Sequence, residues 1–236
     1  LLTMPVSVST LVWGKFLASW IFAAAALVLT FPFWLTVNYL GAPDNGVIAG
    51  SYLGSWVLAG CMLAISQTMS ALTKNQVIAL VLAVIVNFLF FLSGVEYVLG
   101  FFRMFAPAAV VDMVASFSFL VHFGTIAGGL LEMRDVVFFV SVILLFNVTT
   151  ILVVSFRTSG TSRWLKSTQA AYYVLFFLLL LTAFTGLNLT ANRFLRTEQY
   201  DFTQEKLHTL TPSSRRVLEN LPEPVTAKLY YSPVLG

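Results

Sequence analysis

The chain has 236 residues, of which 58% are hydrophobic and 10% charged, and its formal net charge is +3. Soluble domains carry about 25% charge, so this composition excludes an ordinary water-soluble fold and calls for a bilayer. The basic residues are scattered instead of clustered, which excludes a nucleic-acid surface, and the lone Cys61, inside an apolar run, excludes an internal disulfide and reads as a small buried hydrophobe.

Lipid offers the backbone no hydrogen-bond partners, so spanning segments must satisfy their own, as helices do. The apolar runs are about twice as long as tilted barrel strands and do not alternate, so helices are expected. The chain opens with LLTMPVSVSTLVWGKFLASW, a half-polar stretch leading to Lys15 and then to an unbroken apolar run. It lacks the charged, apolar and cleavage regions of a signal peptide. The expectation is a chain that begins within a longer product, and the end at Gly236 suggests the same for the other terminus.

A helix needs about 20 apolar residues to cross a bilayer. Phe16 to Leu40, Val47 to Thr73, Val136 to Phe156 and Ala170 to Ala191 meet this length, and Gln76 to Val95 joins them if Asn87 faces another helix. Trp13, Trp20 and Trp34 are expected at headgroup level near the ends of the first span, and Pro32 is expected to kink it. Residues 96–135 contain His122 and several glycines, and their acids Glu96, Asp112, Glu132 and Asp135 outnumber Arg103 and Arg134, which suits an outer segment. Lys74 lies between the second and third spans, and Arg157, Arg163 and Lys166 between the fourth and fifth; the positive-inside rule places both loops in the cytoplasm. An even number of crossings must then separate them. Residues 96–135 are therefore expected to enter and leave by the outer face, as short extracytoplasmic helices or a re-entrant pair.

That parity puts Lys15 inside and the turn GAPDNG outside. From Arg193 onward charged residues of both signs appear. Thr211 before Pro212 reads as a helix cap, Val217, Leu218 and Leu221 as that helix's apolar positions, and VTAKLYY at 225–231 as a half-buried strand. One helix and one strand cannot form a core of their own, so an α/β domain is expected to start here.

Chemistry-bearing motifs are sparse. Gly14-Lys15 lacks the glycine-rich loop and following Ser or Thr of a phosphate cradle, and LSGVE at 92–96 only superficially resembles an ABC ATPase signature loop. His122 and His208 lie in different regions and suggest no metal pair; His122 reads as a core or interfacial histidine. Asp112, beside apolar helices on the outer side, could line an exit path or simply cap a helix. The Asn147 and Asn188 glycosylation patterns fall within spans, and the serines show no partner His or Asp. No catalytic constellation and no cofactor are expected, so an enzyme is not.

The leucine pair, Thr3, Pro5, Val6-Ser7 and Gly14-Lys15-Phe16 of the opening stretch resemble the segment before the third span of ABC-2 type permeases. In that family the neighbouring cytoplasmic segment docks on a separate ATPase. The resemblance implies that Leu1, Leu2, Met4, Val6 and Lys15 receive motion from it. Asp201, Thr203, Lys206, Thr209, Leu210, Leu218, Leu221, Pro224 and Val225 resemble the start of the auxiliary component of gliding-motility-type ABC systems. Together these imply a permease part at 1–156, a cytoplasmic linker at 157–169, a transmembrane helix at 170–192 and the start of the auxiliary domain at 193–236.

The expected fold is an all-α polytopic membrane protein with about five transmembrane helices and short outer helices, followed by the beginning of an α/β extracytoplasmic domain. The implied function is the permease subunit of an ABC transporter, with an ABC ATPase subunit, a second permease half and membrane lipid as partners. Its expected location is the bacterial inner membrane, with Asp112 and His122 shaping the outer mouth. The alternative is a non-transporting anchor that presents an extracytoplasmic domain.

Overall fold

A computed structural model of the chain describes residues 6–158, 163–195 and 199–220. The elements in order are α1 (Val8–Val28), α2 (Phe31–Leu40), α3 (Asn45–Leu72), α4 (Gln76–Leu92), α5 (Glu96–Arg103), α6 (Ala108–Ala115), α7 (Phe119–Ala127), β1 (Leu130–Glu132), α8 (Met133–Thr158), α9 (Arg163–Phe194), β2 (Gln199–Asp201) and α10 (Pro212–Glu219). Four helical stretches are long and apolar enough to cross a membrane: Val8–Leu40, Asn45–Leu72, Met133–Thr158 and Gln169–Phe194.

The first stretch begins earlier than the apolar run suggests. Ser7 caps α1, its hydroxyl accepting the Thr10 amide at 3.2 Å, so Lys15 stands exposed two turns inside the helix instead of at its threshold. The expected kink falls at Leu29 and Thr30, with Pro32 in the first turn of α2, where its missing N–H costs little. Tyr52 of α3 closes this break, its phenol lying 2.8 Å from the Thr30 hydroxyl and donating to the Thr30 carbonyl at 3.1 Å. Trp20 departs from the sequence expectation. Its indole stacks on Trp56 of α3 at 4.4 Å and donates to the Trp56 carbonyl at 2.8 Å, so it binds α1 to α3 instead of marking a headgroup level.

α3 and α8 form the centre of the bundle. Between apolar helices in lipid, close packing replaces the hydrophobic effect, and small residues permit it. Gly60 on α3 is such a point: a β-carbon there would lie 2.8 Å from the Trp20 indole nitrogen and 3.1 Å from Ile143 of α8. Cys61 packs beside it, fully buried, with its Sγ donating to the Phe139 carbonyl at 3.4 Å. Two turns further on, the Thr68 hydroxyl meets the Phe146 carbonyl at 2.9 Å and the Thr150 hydroxyl at 2.9 Å. On the other side of α8, Asn188 of α9 donates to Ser141 at 2.9 Å. The two asparagines of the glycosylation-like triplets are therefore buried within helix packing.

α4 has 17 residues, about 26 Å at 1.5 Å per residue, and the chain then turns by 77° into α5. Asn87 of α4 faces inward as expected, 7% exposed. Where α4 ends, Phe90 stacks on Phe119 at 4.8 Å, and a side chain at Gly94 would collide with Ser118. α7 lies against α3: Ile126 and Phe123 close on Gly50 and Gly54. Because α7 runs opposite to α3, Phe119 lies deeper in the bundle, against Phe138 of α8 at 6.0 Å. The segment 96–135 is thus three short helices and a strand, and α7 dips into the bundle.

The parity argument has a direct geometric counterpart. Arg157, at the end of α8, donates to the Leu72 carbonyl at 2.6 Å, so the two basic turns share one end of the molecule. At the other end β1, before α8, pairs antiparallel with β2, after α9. The Thr211 cap also holds, accepting the Ser214 amide at 3.2 Å, whereas the expected strand at 225–231 lies outside the described residues.

Two-sided labelling checks this arrangement. In a Cys61→Ser background, cysteines at Lys74 and Thr158 should react with an impermeant maleimide from one face of sealed vesicles, and a cysteine at Glu205 from the other. Reaction of positions 74 and 205 from the same face would refute it.

Candidate functional site

At the end of the molecule opposite Arg157, the side chains of Asp44, Glu132, Asp135 and Asp201 tie neighbouring segments together. The chain leaves α7 at Gly129, whose φ of +84° is a left-handed conformation suited to glycine. It then enters β1, where Leu130, Leu131 and Glu132 face Asp201, Tyr200 and Gln199 of β2. The Phe202 amide extends the ladder to the Gly129 carbonyl at 2.8 Å.

Two carboxylates fasten this hairpin-like junction. Asp201 accepts the Thr203 hydroxyl at 2.5 Å and the Thr203 amide at 3.0 Å on one oxygen, and the His208 amide at 2.9 Å and the Thr209 hydroxyl at 3.0 Å on the other. These bonds, the Thr203 hydroxyl foremost, favour the ionised form and lower its pKa from 3.8 to about 2. Asp44 caps α3 by accepting the Gly46 amide at 2.8 Å and the Val47 amide at 3.2 Å, and also takes the Gln204 amide at 3.1 Å. The segment after α9 is thereby seated on the start of α3. Gly46 makes room for it, since a β-carbon there would overlap the Phe202 carbonyl.

Beneath this surface lies a buried pair. His122 of α7 is 3% exposed and Asp135 of α8 is fully buried; His122 Nδ1 and Asp135 Oδ1 are 2.6 Å apart. His122 Nε2 lies 2.9 Å from the Ser116 carbonyl oxygen at the end of α6. The ring stacks on Phe138 at 4.0 Å. Arg134 approaches Asp135 Oδ1 to 3.8 Å and pairs closely with Glu132 of β1. A carbonyl can only accept, so Nε2 must carry a proton. The short Nδ1 to Oδ1 contact needs another. Either an imidazolium faces a carboxylate or a neutral ring faces a carboxylic acid; both hold two protons and no net charge. This pair joins the α6–α7 turn to the head of α8.

The residues singled out in the sequence fall apart here. Asp112 is exposed on α6, while His122 points inward on the same helical hairpin, so the two do not line a common surface. Leu1, Leu2 and Met4 lie outside the described residues; Val6 and Lys15 are exposed at the opposite end. Asp135 was legible only as one more outer charge, and its separation of 13 residues from His122 across a turn gives no periodic signal. The pair does not form a nucleophile-activating relay, because the second ring nitrogen is engaged by a main-chain carbonyl. Compared with family models, curated proteins and solved structures, the chain gives no match.

Two measurements follow from these contacts. Asp135→Ala strands a buried ring nitrogen and should destabilise the fold by about 3 kcal/mol or more. Asp135→Asn, whose amide can bond a neutral ring, should lose clearly less; equal losses in detergent-solubilised unfolding would contradict the two-proton assignment. The Asp201 contribution has the sign of a depressed acid: fully present above 3.8 and lost as pH falls through about 2. Hydrogen exchange at the His208 amide should accelerate across that window in the wild type and be fast at all pH values in Asp201→Asn.

Proposed function

We propose that the chain is the permease subunit of an ABC-2 type transporter, joined to the first part of its auxiliary extracytoplasmic component and driven by a separate ATPase. In this reading the end carrying Lys74 and Arg157 is cytoplasmic, the membrane is a bacterial inner membrane, and two such permease halves work together. The residues before α1, with Val6 and Lys15, would meet the ATPase; the acid-bearing end with Asp112 would form the outer face. The chain itself would carry out no chemistry.

The observation that carries this reading is the pair of ties at opposite ends of the same helices. At the basic end Gln67 of α3 donates to the Val12 carbonyl of α1 at 3.1 Å, and Arg157 joins α8 to α3. At the other end the β1–β2 ladder and Asp44 hold the segment after α9 against α3 and α8. A displacement applied to α1 would thus have a packed route to the outer domain, which a motor-driven subunit needs.

A second reading, a non-transporting anchor for an outer domain, has its own support. The polar side chains of Thr68, Thr150, Ser141 and Asn188 bond to neighbouring helices or to their own backbone. Such groups hold a bundle closed instead of lining a path.

Binding of the ATPase separates the two readings. The P-loop ATPase encoded nearest to this chain, tested with the full-length protein in nanodiscs, should bind and be stimulated. Leu2→Asp, Met4→Asp or Val6→Asp should weaken binding about tenfold, a change of roughly 1.4 kcal/mol. Leu207→Asp at the opposite end should leave it unchanged. Absence of binding by the wild type would favour the anchor.

A further inference from the structure

The basic end carries a feature that the proposed function does not use. Between α8 and α9, against the end of α3, lies a cleft of about 420 Å³ lined by Leu152, Val153, Phe156, Tyr173 and Phe177, with Arg157 at its rim. Its wall is almost wholly apolar. The hydroxyl of Thr149, which also lines it, is spent on the Leu145 carbonyl at 2.7 Å. Water entering such a space would find few hydrogen-bond partners, and apolar cavities accordingly stay dry and take apolar ligands. Left empty, the cleft would forfeit the dispersion contacts of its lining.

Arg157 supplies the second half of the argument. Its guanidinium is steadied by one bond to the Leu72 carbonyl at 2.6 Å, and its side chain is otherwise exposed, with further N–H donors to offer. Among the described residues no acid pairs with it. Residues 45–95 and 136–197 contain neither Asp nor Glu, and Asp135 sits at the far end of α8, about 33 Å away along the helix. Lys74 follows Leu72 by two residues, so positive charge accumulates at this mouth with no ion-pair partner among the described residues. A planar guanidinium held beside an apolar slot matches a phosphate attached to a hydrocarbon chain. Basic pockets between transmembrane helices recognise anionic headgroups in this way.

We propose that the α8–α9 cleft is a binding site for an anionic phospholipid of the surrounding leaflet, with one acyl chain between the helices and the phosphate on Arg157. Bound there, the lipid fills the gap that the Phe156–Tyr173 edge contact, at 5.4 Å, leaves between α8 and α9. It would also fix where the basic end sits in the membrane. The site takes the apolar helices as membrane spans and is independent of whether an ATPase binds.

The test uses the full-length protein in a neutral detergent, titrated with phosphatidylglycerol or phosphatidylcholine of identical chains and read by native mass spectrometry and thermal unfolding. Phosphatidylglycerol should bind about tenfold more tightly and raise the unfolding temperature more. Arg157→Gln should abolish the preference, and Arg157→Lys should keep part of it. Ala170 also lines the cleft, and Ala170→Trp, which fills it while retaining the arginine, should weaken both lipids at least several-fold. Equal binding of the two lipids, a preference that survives Arg157→Gln, or an Ala170→Trp variant that changes only the oligomeric state would each overturn the site. The last outcome would point to a second copy as the occupant.

Discussion

Helix α3 is narrow where the molecule needs it to be, and the remaining elements are arranged around the close approaches this permits. Gly46, Gly50, Gly54 and Gly60 meet, in turn, the Phe202 carbonyl, the α7 turn, Phe123 and Trp20. In a bilayer the gain from hiding apolar side chains is absent, because lipid tails are as apolar as the helices. Association then depends on backbones coming near enough for dispersion contacts and for hydrogen bonds from one helix to the carbonyls of the next. The Trp20–Trp56 and Thr68–Phe146 bonds are of this kind. A bulky residue at any of these glycines would push a partner outward and open the bonds beside it.

From this packing follows a division of labour between the two ends. One end is built from carboxylates that accept several main-chain amides each: Asp44 at the start of α3, and Asp201 across the β2 turn. These bonds are local or span a short gap, and they fasten the segment after α9 to the bundle. At the other end Arg157 acts on the Leu72 carbonyl at the end of α3, and no acid among the described residues pairs with it. Positive charge near helix C-termini is favourable to the helix dipoles, and it leaves an unpaired field for anions at the membrane surface.

Four of the five expected spans were legible in the sequence because each depends on a continuous run of composition; the fifth, Gln76 to Val95, is instead the 17-residue α4, broken by a 77° turn into α5. The cap at Thr211 was legible because capping is a matter of three neighbouring residues. Other features were not. Ser7 starts α1 ahead of the apolar run, since a cap needs only one hydroxyl and one amide, so a polar stretch could be helical. Trp20 looked like an interfacial anchor from its distance to the run's end, but Trp56 on another helix offered its indole a carbonyl. His122 was readable as a core histidine, yet its partner Asp135 was counted with the outer charges, because nothing local distinguishes a buried carboxylate from a solvated one.

By itself the sequence determined that this chain belongs to a membrane, where its four long apolar helices run to within a few turns, and that its two basic turns share a side. Those properties follow from transfer free energy and charge, which add up residue by residue along the chain. The tertiary structure alone decided that α7 enters the bundle, that β1 and β2 join segments on either side of the α8–α9 pair, and that His122 meets Asp135. Each of these is a meeting of groups distant in sequence, and such meetings depend on how closely backbones can pack.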